Sequence, residues 1–169
     1  ASIFPSPVPA RAEIIAQQPL VVAGMAAAVQ AFLMVDPSLR LSVLKRDGQR
    51  AKNGDPLLLI EGDGRSILRT ERVALNFLQH LSGIATLTQR FCHAVRGYPA
   101  SILDTRKTLP GWRALQKWAV SLGGGVNHRH SLGDGILIKD NHLALLQGTR
   151  RPVERACRLA HARRSGALP

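Results

Sequence analysis

After Gly97-Tyr98-Pro99 the chain settles into a rhythm that few folds accommodate. Short apolar runs alternate with helix-length segments: Ser101-Ile102-Leu103, Trp112 to Leu122, Gly125-Val126, Ile136 to Ile138, and Pro152 to Ala162. A helix between successive strands makes those strands parallel neighbours joined by crossovers. Residues 85–169 are therefore expected to form a parallel α/β unit with crossover helices.

The residues before this follow another pattern. Residues 10–18 alternate polar and apolar, Leu20-Val21-Val22 follows, and Leu39 to Leu44 and Leu57 to Ile60 are also strand-like. Met25 to Val35 is apolar, Ala-rich and free of proline, as a buried helix would be. Asp47-Gly48 and Lys52-Asn53-Gly54-Asp55 supply turns, glycine being the residue that tolerates positive φ. From Ser66 to about Val95, Ile67, Leu68, Leu75, Leu78 and Leu81 recur at helical spacing, which predicts two helices broken near Ser82-Gly83. Residues 1–84 are expected to be a small α+β domain on an antiparallel sheet, ending in a linking helix. The fold class as a whole is α/β.

Hydrophobic residues make up 45 % of the 169 and charged residues 20 %, which excludes a disordered tail, a collagen-like repeat and a coiled coil. The longest apolar run, Leu20 to Val29, has ten residues, whereas a bilayer span needs about 20. No membrane partner is expected. Cys92 and Cys157 lie far apart and outside any CxxC, so no disulfide framework or zinc site is indicated and a cytoplasmic location is expected.

The charge is uneven. Residues 1–84 carry nine basic and seven acidic side chains, a balance of +2, and residues 85–169 carry fourteen and four, a balance of +10. Such a bias calls for a polyanionic partner. Its placement is informative: three apolar runs end directly in polar and basic residues. These are Asp104-Thr105-Arg106-Lys107, Asn127-His128-Arg129, and Lys139-Asp140-Asn141-His142. Ligands of parallel α/β folds bind at the carboxyl ends of strands. Arg grips planar carboxylates through two parallel hydrogen bonds, and Lys serves phosphate as a point charge.

Each element also has a plainer reading. Gly123-Gly124-Gly125 would serve as a helix C-cap with its loop, Asp140-Asn141 as an N-cap, and His130 and His161 as structural histidines. Arg150-Arg151, Arg155, Arg158 and Arg163-Arg164 form a stripe that suits a solvated helix face. Nucleic-acid binding would want aromatics interleaved with the basic residues. Aromatics total only 4 % and no recognition motif appears, so no nucleic-acid partner is expected. A small-molecule anion pocket is preferred, with a non-catalytic basic α/β binding module as the alternative.

The run Leu103-Asp104-Thr105-Arg106-Lys107-Thr108-Leu109-Pro110-Gly111, with Gly123 to Arg129 and Ile138 to His142, resembles quinolinate phosphoribosyltransferase. Thr70-Glu71-Arg72-Val73-Ala74-Leu75-Asn76 and Leu81-Ser82-Gly83-Ile84-Ala85-Thr86 resemble the same family's linking helices. The likeness runs over about residues 10 to 160 in unbroken order. A sister family associated with molybdenum transport shares the Asp-Thr-Arg-Lys-Thr stretch, but Lys139-Asp140-Asn141-His142 looks more like the quinolinate enzyme.

The resemblance implies transfer of phosphoribose from phosphoribosyl pyrophosphate to quinolinate, with decarboxylation, in NAD biosynthesis. It implies that Arg106, His128, Arg129 and Lys139 surround the two carboxylates, with Thr105 among the substrate-binding residues. Lys107 would sit nearer phosphoribosyl pyrophosphate, Lys107 and Lys139 would be catalytic, and Asp140 and His142 would join the substrate-binding residues. Arg72 would reach into the neighbouring subunit's site, because the family forms homodimers with shared sites. Mg²⁺ would accompany the pyrophosphate, with Asp104, Asp140 and Asp134 the acids nearest the expected mouth. The family also places a helix before this chain's Ala1 and further Glu- and Asp-bearing strands beyond Ala162 to Pro169, so the resemblance implies that residues 85–169 are the first, incomplete part of a parallel α/β barrel. The 169 residues alone are therefore expected to lack turnover and to leave an apolar edge after Ile138 that another segment or chain covers.

Overall fold

The computed structural model describes residues 3–131 and 133–162. The chain divides into two compact units, residues 1–127 and 128–169.

The first unit is built on three antiparallel strands in the order β1-β5-β3, formed by Pro9–Ile15, Pro56–Asp63 and Arg40–Val43. A two-stranded ribbon pairs β2 (Leu20–Val21) with β4 (Arg50–Ala51). The alternation in β1 appears directly as alternating exposure along the strand. The central strand β5 buries Leu57, Leu58 and Ile60. Over this sheet lie α1 (Met25–Val35) and the first half of α2 (Gly64–Ala94), sharing a core of Met25, Ala28, Phe32, Leu58, Ile60, Ile67, Ala74 and Leu78.

The start of α1 shows why Gly24 and Asp47 stand where they do. Gly24 has φ +96°, and a Cβ there would lie 2.9 Å from the Phe77 carbonyl oxygen. Only glycine suits both demands. A glycine cannot cap with a side chain, so Asp47 does so from a distant turn: its carboxylate accepts the Met25 and Ala26 amides at 2.9 and 3.3 Å.

Two expectations need correction. The predicted break near Ser82-Gly83 is absent, and α2 runs unbroken for 31 residues. Gly83 faces open space, and its propensity cost of about 1 kcal/mol is outweighed because the flanking turns are anchored. Ser82, buried, accepts the Ala23 amide and donates to the Ala23 carbonyl, while Thr86 accepts the Val21 amide. The second half of α2 packs Leu81 and Ala85 against Val21, Ala23 and Ala119 of α3 (Arg113–Leu122).

The α/β class holds and the first two expected barrel runs pair in parallel as expected, but only at one residue pair, and the third run is the second correction. Ser101–Leu103 and Gly125-Val126 meet in a single parallel bridge, Leu103 to Val126. Ile136 to Ile138 forms no strand among the described residues. A parallel strand is stabilised by neighbours on both sides rather than by a hairpin partner close in sequence. The second unit, described separately, contains α4 (Asp140–Ala144) and α5 (Pro152–Ala162).

A candidate anion-binding site

One turn of α3 organises the first strand end. Lys117 is only 1 % exposed, and its ammonium donates to Asp104 Oδ1 at 2.5 Å. Oriented so that its amide nitrogen rather than its oxygen faces these two acceptors, Asn127 donates to Asp104 Oδ2 at 2.7 Å and to the Lys117 carbonyl at 2.8 Å. The backbone closes the same corner: Val126 N–H donates to the Ile102 carbonyl at 2.8 Å, and Asp104 N–H to the Val126 carbonyl at 3.2 Å. Asp104 and Asn127, which follow the bridged Leu103 and Val126, are thus tied to one helix.

The loop that follows is pinned again at its far end. Leu109 N–H donates to Gln116 Oε1 at 3.1 Å, and Arg113 Nε donates to Thr108 Oγ1 at 3.2 Å. Gln116 also bonds His80 of α2 at 2.8 Å, beside Trp112, which stacks on Phe77 with ring centres 5.1 Å apart. Between the clamps, Thr105 Oγ1 accepts the Lys107 amide. A pocket of about 320 Å³ opens here, lined by Thr105, Lys107 and Thr108 with Asp104 and Lys117. Arg106 is half-buried, and its Nε, shielded from water, has no hydrogen-bond partner among the described residues. A donor left so costs about 1–3 kcal/mol, which an anionic acceptor would relieve.

The glycine run is more than a cap. Gly124 has φ +89°, as a helix C-terminus favours, but a Cβ on Gly123 would lie 2.4 Å from the Ala85 carbonyl oxygen. Gly123 therefore lets α3 approach α2 closely enough to place Lys117.

Of the sequence-predicted residues, Thr105, Arg106, Lys107 and Arg72 fall in the first unit, and His128, Arg129, Lys139, Asp140 and His142 in the second. Arg72 is exposed on α2 and pairs with no carboxylate among the described residues. In the second unit, Arg129 Nη1 donates to the Gly135 carbonyl at 3.1 Å. Asp134 accepts from the Ser131 hydroxyl and from the His130 and Ser131 amides, and these bonds, the hydroxyl first, hold its carboxyl below the usual range. Lys139 N–H donates to His142 Nδ1 at 2.9 Å, so that ring closes the first turn of α4 beside the exposed Lys139 and Asp140. Arg151 and Arg158 of the basic stripe both bond Glu154 on a solvated face, while Arg163-Arg164 lie outside the described residues.

Sequence reasoning missed Lys117, Gln116 and the role of Asn127. Lys117 had a detectable signal: no acidic residue stands three or four positions from it on α3 to pair with it at the surface. A magnesium cage fits poorly. Among the described residues no three His, Cys, Asp or Glu side chains cluster, and Asp104 is engaged by Lys117 and Asn127.

Residues 1–82 match the family model for the quinolinate phosphoribosyl transferase N-terminal domain, and residues 84–165 match that for its C-terminal domain. A chloroplastic nicotinate-nucleotide pyrophosphorylase (carboxylating) from Oryza sativa subsp. japonica is 46 % identical over 145 residues, covering 86 % of this chain and 38 % of that protein. A nicotinate-nucleotide pyrophosphorylase (carboxylating) from Mycobacterium leprae is 59 % identical over 98 residues, covering 58 % of this chain and 34 % of that protein. The crystal structure of nicotinate-nucleotide pyrophosphorylase from Ehrlichia chaffeensis superposes with a TM-score of 0.88 at 34 % identity, covering 99 % of this chain and 60 % of that one. The chain thus spans about two fifths of the length of the curated relatives it matches.

Proposed function

Since the chain belongs to the quinolinate phosphoribosyltransferase family, we propose that the protein it represents moves phosphoribose from phosphoribosyl pyrophosphate to quinolinate. Nicotinate mononucleotide, pyrophosphate and CO₂ are the products. The observation that carries this reading is the clamped Asp104–Leu109 loop, which presents Lys107 to a pocket beside a half-buried Arg106 whose Nε lacks an acceptor.

Quinolinate brings two carboxylates and its co-substrate brings a pyrophosphate, so a dense set of fixed cations is the chemical requirement. Arg106, with His128, Arg129 and Lys139, holds the carboxylates, Thr105 contributes a hydroxyl, and Lys107 neutralises phosphate. The pyridine nitrogen attacks the ribosyl C1 as the bond to pyrophosphate breaks, the leaving group departing with that electron pair. The cationic ring nitrogen then accepts the electron density released when the 2-carboxylate departs as CO₂, and a proton replaces it on the ring. Positioning and charge neutralisation supply most of the rate. Lys107 and Lys139 carry the catalytic roles, while Asp140 and His142 shape the turn that presents Lys139. Magnesium belongs to the proposal as the companion of pyrophosphate.

The proposal includes two domains, 1–84 and 85–169, supported by the two family models, which meet between residues 82 and 84. It also includes a homodimer in which Arg72, exposed and paired with no carboxylate among the described residues, serves the partner's site. No helix among the described residues is long and apolar enough to cross a membrane. Free Cys92 and Cys157 support the cytoplasm.

The test is release of labelled CO₂ from quinolinate carrying the label in its 2-carboxylate, with phosphoribosyl pyrophosphate and magnesium, using the whole protein. Turnover that disappears in Lys139→Ala and depends on both substrates is expected. Tighter binding of short duplex DNA than of quinolinate at physiological salt would instead indicate a basic binding module.

A further inference from the structure

We propose that Lys117 is a positioning residue that pre-organises the Asp104–Leu109 loop for anions, its own ammonium being taken up by Asp104. Its consequence for ligand binding rests on the function proposed above. Its effect on the loop does not.

The argument starts from burial. Lys117 and Asp104 have side chains 1 % and 6 % exposed, and nothing in packing alone demands ions there. Apolar residues of similar volume often serve stability as well as a buried ion pair or better, and the best-attested use of such a pair is to fix register. Here the register fixed is that of three segments. Lys117 Nζ holds Asp104, next to the bridged Leu103, and the Lys117 carbonyl receives Asn127, which follows the bridged Val126 and also bonds Asp104. A hydrophobic pair would fill the space without setting these angles.

The same face of α3 then takes the other end of the loop. Arg113 and Gln116, four residues and one residue before Lys117, hold Thr108 and Leu109. The loop carrying Thr105, Arg106 and Lys107 is thus anchored by three side chains from a ten-residue helix. The internal bonds of the loop are short-range turns, Lys107 N–H to Thr105 Oγ1 and Thr108 N–H to the Arg106 carbonyl. Short-range turns alone leave several arrangements open, and the outer anchors select among them. A loop ordered before the ligand arrives does not have to be ordered by it.

The experiment is hydrogen–deuterium exchange on the whole protein, comparing wild type, Lys117→Met and the double variant Asp104→Asn/Lys117→Met. The single variant leaves a buried carboxylate unpaired and is expected to lower the melting temperature sharply. The double variant removes both charges and is expected to melt within a few degrees of wild type. Even so, peptides spanning residues 103–110 should exchange at least about tenfold faster in the double variant, while those of α2 remain unchanged. In parallel, its dissociation constant for inorganic pyrophosphate and for quinolinate should rise at least about tenfold. Wild-type exchange over 103–110 in the double variant would overturn the assignment, whatever the binding results. If wild type bound neither probe while the exchange contrast was present, the phosphoribosyltransferase reading would fail and the positioning role of Lys117 would stand.

Discussion

Strands β1 and β5 and the segment from Ser101 to Asn127 use similar short apolar runs to opposite ends. The antiparallel β5 finds both neighbours within the first 63 residues, and Leu57, Leu58 and Ile60 are at most 4 % exposed. Leu103 and Val126, which form the single parallel bridge, remain 54 % and 49 % exposed. The first region is held by apolar burial. At the second, polar contacts to α3 supply the order, through Asp104, Asn127, Thr108 and Leu109. One region is a scaffold and the other a mount for charged side chains.

That contrast predicts how each region breaks. Gly123→Ala should have the largest effect, because its new methyl would meet backbone of α2 as well as the Thr88 side chain. A loss of about 3 kcal/mol or more is expected in denaturant unfolding, and a neutral result would show that α3 can withdraw freely. Leu58→Ala should cost about 3 kcal/mol, since the residue is fully buried. Leu103→Ala, removing a half-exposed side chain, should cost well under half of that by the same measurement. Equal losses at the two leucines would erase the distinction drawn between the regions.

Acid provides a gentler probe of the scaffold. Asp63 caps α2, and the Arg65 guanidinium, followed by the Arg65 and Val8 amides, lowers its pKa from 3.8 to about 2. A folded-state pKa below the unfolded one gives stability that is complete above pH about 4 and is lost as the pH falls toward about 2. Asp63→Asn should flatten the melting-temperature profile in that window and leave it unchanged at neutral pH apart from a constant offset.

How much of this was legible follows the same division. Alternation in β1 and the Ala-rich run of α1 reflect local burial, and each was readable from a few residues. The supposed break at Gly83 was not, because the Ser82 and Thr86 bonds that hold that turn reach residues about 60 positions away. Ile136 to Ile138 has the composition of a strand, but composition cannot show which neighbours pair with it. In the site, Arg106 and Lys107 were visible as charges following a strand. Lys117 was hidden because a lysine on a helix is ordinarily solvated, and only its lack of an acidic neighbour marked it.

The central claim is that fixed cations on the Asp104–Leu109 loop recognise an anionic substrate, rather than basic charge in general attracting it. It is tested by calorimetric titration of quinolinate into wild type, Arg106→Ala and Arg40→Ala. Arg40, on β3 and 85 % exposed at its side chain, removes the same charge from elsewhere. Affinity reduced at least about tenfold in Arg106→Ala and unchanged within about twofold in Arg40→Ala is the predicted result. Equal weakening by both substitutions, or binding that Arg106→Ala leaves intact, would contradict it.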